Sequence, residues 1–326
     1  MSNMMELRQK VLEKNFSRMN QRQQEAVFHV NGPLLILAGA GSGKTTVLIN
    51  RIANLIRFGN AYHSQNTASL TEEDCAAMEA YINGSAPLEP GTKARLAVNP
   101  CQPWQVLAIT FTNKAAGELK DRLEAMLGEE GRDIWASTFH STCARILRRY
   151  GDRLGFTNHF TIYDTDDSRR LMKECQKALN IEDKSLSYKT ILNEISHAKD
   201  RMISPDDYAN AAGADFRLGL VAKAYKLYQS RLSEADAMDF DDLLCNAVQL
   251  FLKCPDVLEY YQNRFRYIMV DEYQDTNHVQ YLFVKLLAEK YKNICVVGDD
   301  DQSIYKFRGA TIENIMSFEK SFPGAK

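Results

Sequence analysis

Four short apolar runs interrupt a largely polar chain, at residues 34–38, 106–110, 267–270 and 294–297, and each stops at Gly, Asp or Thr. Runs of this length bounded by turn residues predict buried β-strands. A weaker run at 134–137 adds a fifth candidate. Helical periods follow the first two runs. Leu48, Ile52 and Ile56 recur on one face before Gly59, and Ala115, Leu119, Leu123 and Met126 recur on one face before Gly128. Strands alternating with such helices predict an α/β fold with a parallel sheet covered on both faces.

Between residues 151 and 233 the strand signals disappear and helical periods take over, as in Leu171, Met172, Cys175 and Leu179, or Ile191, Leu192 and Ile195. Ser204-Pro205-Asp206-Asp207 reads as a helix start, Ser204 as N-cap and Pro205 at the first helical position. An all-α subdomain at 151–233, inserted into a sheet domain built from 1–150 and 234–326, fits this pattern. Residues 59–103 are polar and turn-rich, with one short helix starting near Thr71, and predict a surface insertion within the sheet domain.

Composition narrows the class. The chain has 326 residues, 45% apolar and 25% charged, which is ordinary globular usage. Forty basic and 42 acidic residues leave a formal charge of −2, so any site for a polyanion has to be local. The seven cysteines include no C-x-x-C pair, and the simplest reading is a reducing cytoplasm. The N-terminus lacks a signal-peptide core, and no apolar run approaches the roughly 18 residues of a membrane span.

Ala38-Gly39-Ala40-Gly41-Ser42-Gly43-Lys44-Thr45 lies between a predicted strand and a predicted helix, the context a P-loop needs. Its glycines let backbone N–H groups close around phosphates at a helix N-terminus. Lys44 can reach the β- and γ-phosphates, and the Thr45 hydroxyl can ligate Mg²⁺. Ala38 replaces the first Gly of the strict pattern, small for small, and Thr46 completes the candidate ATP-binding run. Asp271-Glu272 closes a second predicted strand, delivering two carboxylates to a sheet edge. Asp271 can hold the magnesium and Glu272 can deprotonate the attacking water. Taken alone, an Asp-Glu pair is more simply a solvated turn; beside a P-loop it is the other half of a hydrolytic site. After the last strand, Gln302 can hydrogen-bond the γ-phosphate, while Tyr305 and Phe307 can stack bases with Lys306 and Arg308 nearby.

Together these elements resemble the N-terminal half of a superfamily 1 DNA helicase of the UvrD, Rep and PcrA group. The residues 20–27, Asn-Gln-Arg-Gln-Gln-Glu-Ala-Val, are similar to that family's Q motif, with Gln23 where the amide reads the adenine edge. The P-loop, the run from Asp271 to Thr276 and the Gln302 segment match motifs I, II and III. The run from Thr110 to Ala116 is similar to motif Ia and that from Ser137 to Ser141 to motif Ib, both on the DNA side. The resemblance therefore implies DNA contacts at Phe111, Thr112, Asn113, Thr138, His140, Phe240, Tyr305, Phe307 and Arg308. Physically, Asn113 can cap a helix whose amides face a phosphate, and Phe111 offers a stacking face. Phe307 stands where familiar members have Trp, which keeps a π face and loses the indole N–H.

The resemblance implies a RecA-like ATP-binding domain (1A) with the helical domain (1B) inserted. It also implies an ATP- and Mg²⁺-dependent translocase on single-stranded DNA, moving 3′ to 5′, in repair or replication. The chain stops before motifs IV, V and VI, so the C-terminal RecA-like domain and its arginines are expected as partners from the rest of the same protein. Two alternatives stay open: a nucleotide- and DNA-binding module inactive alone, and part of a RecB- or AddA-like helicase-nuclease.

Overall fold

The structure, a computed structural model, describes residues 2–39, 41–299 and 318–326. Seven strands form among them: β1 (Leu34–Leu37), β2 (Val106–Thr110), β3 (Trp135–Thr138), β4 (Thr161–Ile162), β5 (Ala237–Met238), β6 (Tyr267–Val270) and β7 (Ile294–Gly298). Five make one sheet in the order β1-β7-β6-β2-β3, every neighbour parallel. All five predicted runs are therefore strands of one sheet, with ends moved by a residue at most. Parallel pairing has one consequence that governs the rest of the molecule: every strand points its C-terminal end at the same edge.

Alternating side chains of the strands feed two cores. Leu107, Ile109, Ile268, Val270, Ile294 and Val296 pack under the helices Phe139–Tyr150, Phe240–Lys253, Pro255–Arg264 and His278–Ala288. Val106, Ala108, Met269, Cys295 and Val297 face the helices Lys44–Arg57 and Asn113–Leu127, through Leu48, Ile52, Leu119 and Leu123. The apolar stripes read in the sequence are the faces turned to this second core.

The helices Thr165–Ala178, Tyr188–Asp200, Pro205–Ala212 and Phe216–Glu234 bury a separate core of Met172, Cys175, Ile191, Ile195, Tyr225 and Tyr228. Ser204 caps its helix and Pro205 opens it, as the sequence predicts. One detail departs from the all-helical reading. Thr161–Ile162 pairs in parallel with Ala237–Met238, so a two-stranded ribbon ties the chain entering these helices to the chain leaving them. Two residues are too few to leave an apolar run in the sequence.

Residues 59–103 hold two helices, Glu72–Ile82, capped by Thr71, and Pro90–Arg95. They cover a third core shared with the first helix, Ser2–Asn15, in which Leu70, Met78 and Leu96 meet Leu12, Phe16 and Phe58. The stretch leaves and returns at one neck: Val98 N–H donates to Phe58 O (3.0 Å) and Asn60 N–H to Val98 O (2.8 Å). Gly59, at φ +58°, passes so close to Val98 O that a Cβ would collide with it. All seven cysteines are free thiols. Among the described residues no helix is long and apolar enough to cross a membrane.

Candidate nucleotide and DNA site

The loop after β1 carries the P-loop. Ala38 N–H extends the strand pairing to Gly298 O (3.1 Å), and Gly39 and Ser42 close the turn through a 3.3 Å backbone bond. Gly41 (φ +75°) and Gly43 (φ +83°) adopt left-handed conformations that L side chains resist, which turn the chain from strand to helix. Lys44 and Thr45 then open the helix Lys44–Arg57. Ala40 lies outside the described residues. Gln23 comes from the neighbouring helix Gln21–Phe28. Its Nε2 donates to Ser42 O (3.1 Å) while Oε1 accepts from Asn20 N–H (3.0 Å) in a capping box. The candidate adenine reader is thus seated against the phosphate loop itself. Buried Arg51 fixes the two helices together by donating to the carbonyls of Ala26, His29 and Val30.

Asp271 and Glu272 follow β6 at the same edge. Thr45 Oγ1 donates to Asp271 Oδ2 (3.1 Å), so the hydroxyl and carboxylate that the sequence assigned to a metal stand in contact. Glu272 has φ 52° and ψ 44°, a left-handed conformation uncommon outside glycine. Its Oε2 lies 3.8 Å from Lys44 Nζ, and Asp299 Oδ2, at the end of β7, lies 3.4 Å from the same ammonium. Gln274 Nε2 donates to Glu272 Oε2 (2.6 Å) and Gln274 Oε1 accepts from Asp299 N–H (3.0 Å). Carboxylates outnumber the buried lysine. Burial and the Glu272 charge raise Asp271 above the usual carboxylate range, and the same two causes push Asp275 up to about 6. A hard-oxygen pair in an acid-rich pocket is what Mg²⁺ accepts, one or two protein oxygens being completed by water and phosphate. Among the described residues no three His, Cys, Asp or Glu side chains are arranged to hold a metal alone.

A cavity of about 1110 Å³ runs from Thr45, Asp271 and Glu272 past Phe111 and Thr112 to His140 and the end of the helix Tyr188–Asp200. Phe111, half-buried, packs at 5.4 Å on Phe139, which belongs to the sheet core. His140 meets the exposed ring of Phe240 edge-on at 5.8 Å, and burial lowers the His140 pKa. Thr138 caps the helix Phe139–Tyr150. The cap expected at Asn113 belongs instead to Thr112, whose Oγ1 accepts from Ala115 N–H (3.1 Å). Thr112 is in the extended conformation an N-cap requires, while Asn113 is the first helical residue and exposed. Gln302, Tyr305, Phe307 and Arg308 lie outside the described residues.

A family model described as the UvrD/REP helicase N-terminal domain matches residues 19–83 and 93–323. The chain belongs to this family. It is 47% identical over 308 residues to the ATP-dependent DNA helicase PcrA of Staphylococcus epidermidis, covering 94% of this chain and 37% of that protein. Over 309 residues it is 46% identical to PcrA of Staphylococcus aureus, with 95% and 37% covered. The chain thus spans little more than a third of the length of the curated relatives it matches. The P-loop and the Asp271-Glu272 pair fall at one sheet edge here because β1, β7 and β6 are parallel. Three residues without a predicted role join the site. Gln274 donates to Glu272, while Asp299 pairs with Lys44 and donates its N–H to Gln274. Arg122 reaches across from the helix Asn113–Leu127, its Nη2 donating to Thr46 Oγ1 at 2.8 Å. Gln274 and Asp299 lie inside runs read for their neighbours, and nothing local to Arg122 marks it.

Proposed function

We propose that this chain is the nucleotide-binding half of an ATP-dependent DNA helicase that translocates on single-stranded DNA, and that it hydrolyses ATP at the β1–β6–β7 edge. The observation that carries the reading is the contact of Thr45 with Asp271 beside Lys44 and Glu272, four groups from two distant segments brought to one strand edge. Lys44 supplies positive charge to the β- and γ-phosphates. Thr45 and Asp271 would hold Mg²⁺, which when bound neutralises phosphate charge. Glu272 orients a water and takes its proton. Gln23, beside Ser42, is placed to meet a base entering over the loop. Phe111, Thr112, His140 and Phe240 belong to the DNA side, with Thr138 and Asn113 at the neighbouring helix starts. Residues 1–150 with 234–326 act as the RecA-like domain and 151–233 as the helical insertion; the separate core around Tyr228 supports that division. A second RecA-like domain of the same protein supplies the arginines facing the γ-phosphate, and repair or replication in the cytoplasm is the setting.

The test uses the full-length protein. Glu272→Gln should bind ATP normally while turnover falls by about 10² or more, because only the base is removed. Lys44→Ala should lose nucleotide binding, because the phosphate charge is unpaired. Near-normal ATPase from Glu272→Gln would remove the base assignment.

A further inference from the structure

Gln274 is 2% exposed, yet it sits two residues past a residue at the centre of the hydrolytic site. Its amide is used at both ends, Nε2 toward Glu272 Oε2 at 2.6 Å and Oε1 toward Asp299 N–H at 3.0 Å. A primary amide is the uncharged side-chain group that offers donor and acceptor in one plane, so it can join a carboxylate to a backbone N–H with no added charge. β7 lies between β1 and β6, which places Asp299 between the P-loop and Asp271. The bonds close a ring: Lys44 to Glu272 (3.8 Å), Glu272 to Gln274, Gln274 to Asp299, and Asp299 back to Lys44 (3.4 Å).

We infer that Gln274 is a positioning residue for ATP hydrolysis, holding one carboxylate oxygen of Glu272 and tying it to the end of β7. The inference rests on Glu272 being the base. A carboxylate that must collect a proton from a water works best with one oxygen anchored and the other open. Oε2 has Gln274 as its donor, and Oε1 has no hydrogen-bond partner among the described residues. The left-handed backbone at Glu272 aims this side chain across the P-loop, and such a conformation needs neighbours that hold it. The competing role is plain satisfaction of a buried amide, which acts on stability alone.

The experiment compares Gln274→Leu, Gln274→Glu and Glu272→Gln in the full-length protein, by steady-state ATPase with single-stranded DNA and by thermal melting. Gln274→Leu removes both bonds at nearly constant volume. Its kcat should fall about tenfold or more while the KM for ATP moves less than about threefold, the pattern of a group lost from the chemical step. Gln274→Glu keeps the acceptor for Asp299 N–H and sets a second carboxylate against Glu272. The donor to Glu272 becomes a repelling charge, so kcat should again fall about tenfold or more while the KM for ATP moves less than about threefold. Lower melting temperature with wild-type kcat would overturn the positioning role. If Gln274→Leu does not fold, Gln274→Glu decides, since it is isosteric. Failure of the base reading looks different: Glu272→Gln itself would then turn over ATP at a near-normal rate.

Discussion

Phe111, in the cavity wall, and Phe240, against His140 beside it, are two rings with different physical standing. Phe111 rests on Phe139 and through it on the sheet core, whereas Phe240 is 48% exposed and touches His140 only by its edge. Phe240→Ala should therefore weaken single-stranded DNA binding by about 1 to 3 kcal/mol, the range for loss of a stacking ring, and leave the melting temperature almost unchanged. Phe111→Ala should lower both, because it also opens a gap beside Phe139. Fluorescence titration with an oligonucleotide and a thermal melt on each variant separate the two. A Phe240→Ala protein with full DNA affinity would leave that ring without a binding role. In the sequence both residues were visible as aromatic rings inside motif-like runs; which one is half in the core depends on Phe139, a contact between elements.

At the scale of elements, the end of the helix Tyr188–Asp200 docks on the starts of two others through polar groups. Lys199 Nζ lies 2.7 Å from Asp239 and 2.9 Å from Asp242, and Tyr228 donates to Asp239 (3.0 Å). Burial opposes the charge on Lys199, but the two carboxylates hold it well above its ordinary value. Asp239 also caps the helix Phe240–Lys253. Next to this network Asp200 accepts from Asn277 Nδ2 (2.7 Å). Burial and the facing charge of Asp241 push Asp200 up to about 7, against the pull of Arg201 and Asn277. The folded state thus holds this proton more tightly than the unfolded chain does. Its stabilising contribution is complete below about pH 4 and is lost as pH rises toward about 7. Asp200→Asn keeps an acceptor for Asn277 and removes the charge. Urea titrations from pH 5 to 8 should show a flatter profile and a gain of about 1 to 2 kcal/mol at pH 8, discounted for the solvent that reaches the group. An unchanged slope would show that Asp200 is not the titrating group.

The whole molecule adds a constraint that no single element carries. Residues 59–103 join the rest at a neck where Phe58 and Val98 are already hydrogen-bonded, so replacing residues 60–97 with a short Gly-Ser linker asks little of loop geometry. The replacement also uncovers Leu12, Phe16 and Phe58. At about 1.5 to 3 kcal/mol for each large side chain returned to water, the shortened protein should melt several degrees lower. Nucleotide binding should persist, because the hydrogen bonds of Lys44 and Thr45 run to Asp299 and Asp271 and not to this stretch. Isothermal titration with a non-hydrolysable ATP analogue checks that, and loss of binding with the sheet intact would tie the stretch to the site.

The linear pattern by itself determined the strands and the helices beside them. A run such as Val106–Thr110 is apolar throughout because both faces of its strand are covered, and that leaves a mark no folding partner is needed to read. It also determined the P-loop and the acidic pair, since a glycine-rich turn into a helix and two acids after an apolar run are local chemistry. The tertiary structure decided what lay between segments far apart in the chain. Gln274 gained Asp299 as its second partner because β7 lies beside β6, and Arg51 gained its three carbonyls because two helices cross. The division of the 59–103 stretch into two helices over a shared core was equally hidden, because its apolar residues are sparse and meet those of the first helix only in the fold. Local signals are written where they act, whereas a hydrogen bond between distant segments is set by the path of the chain between them.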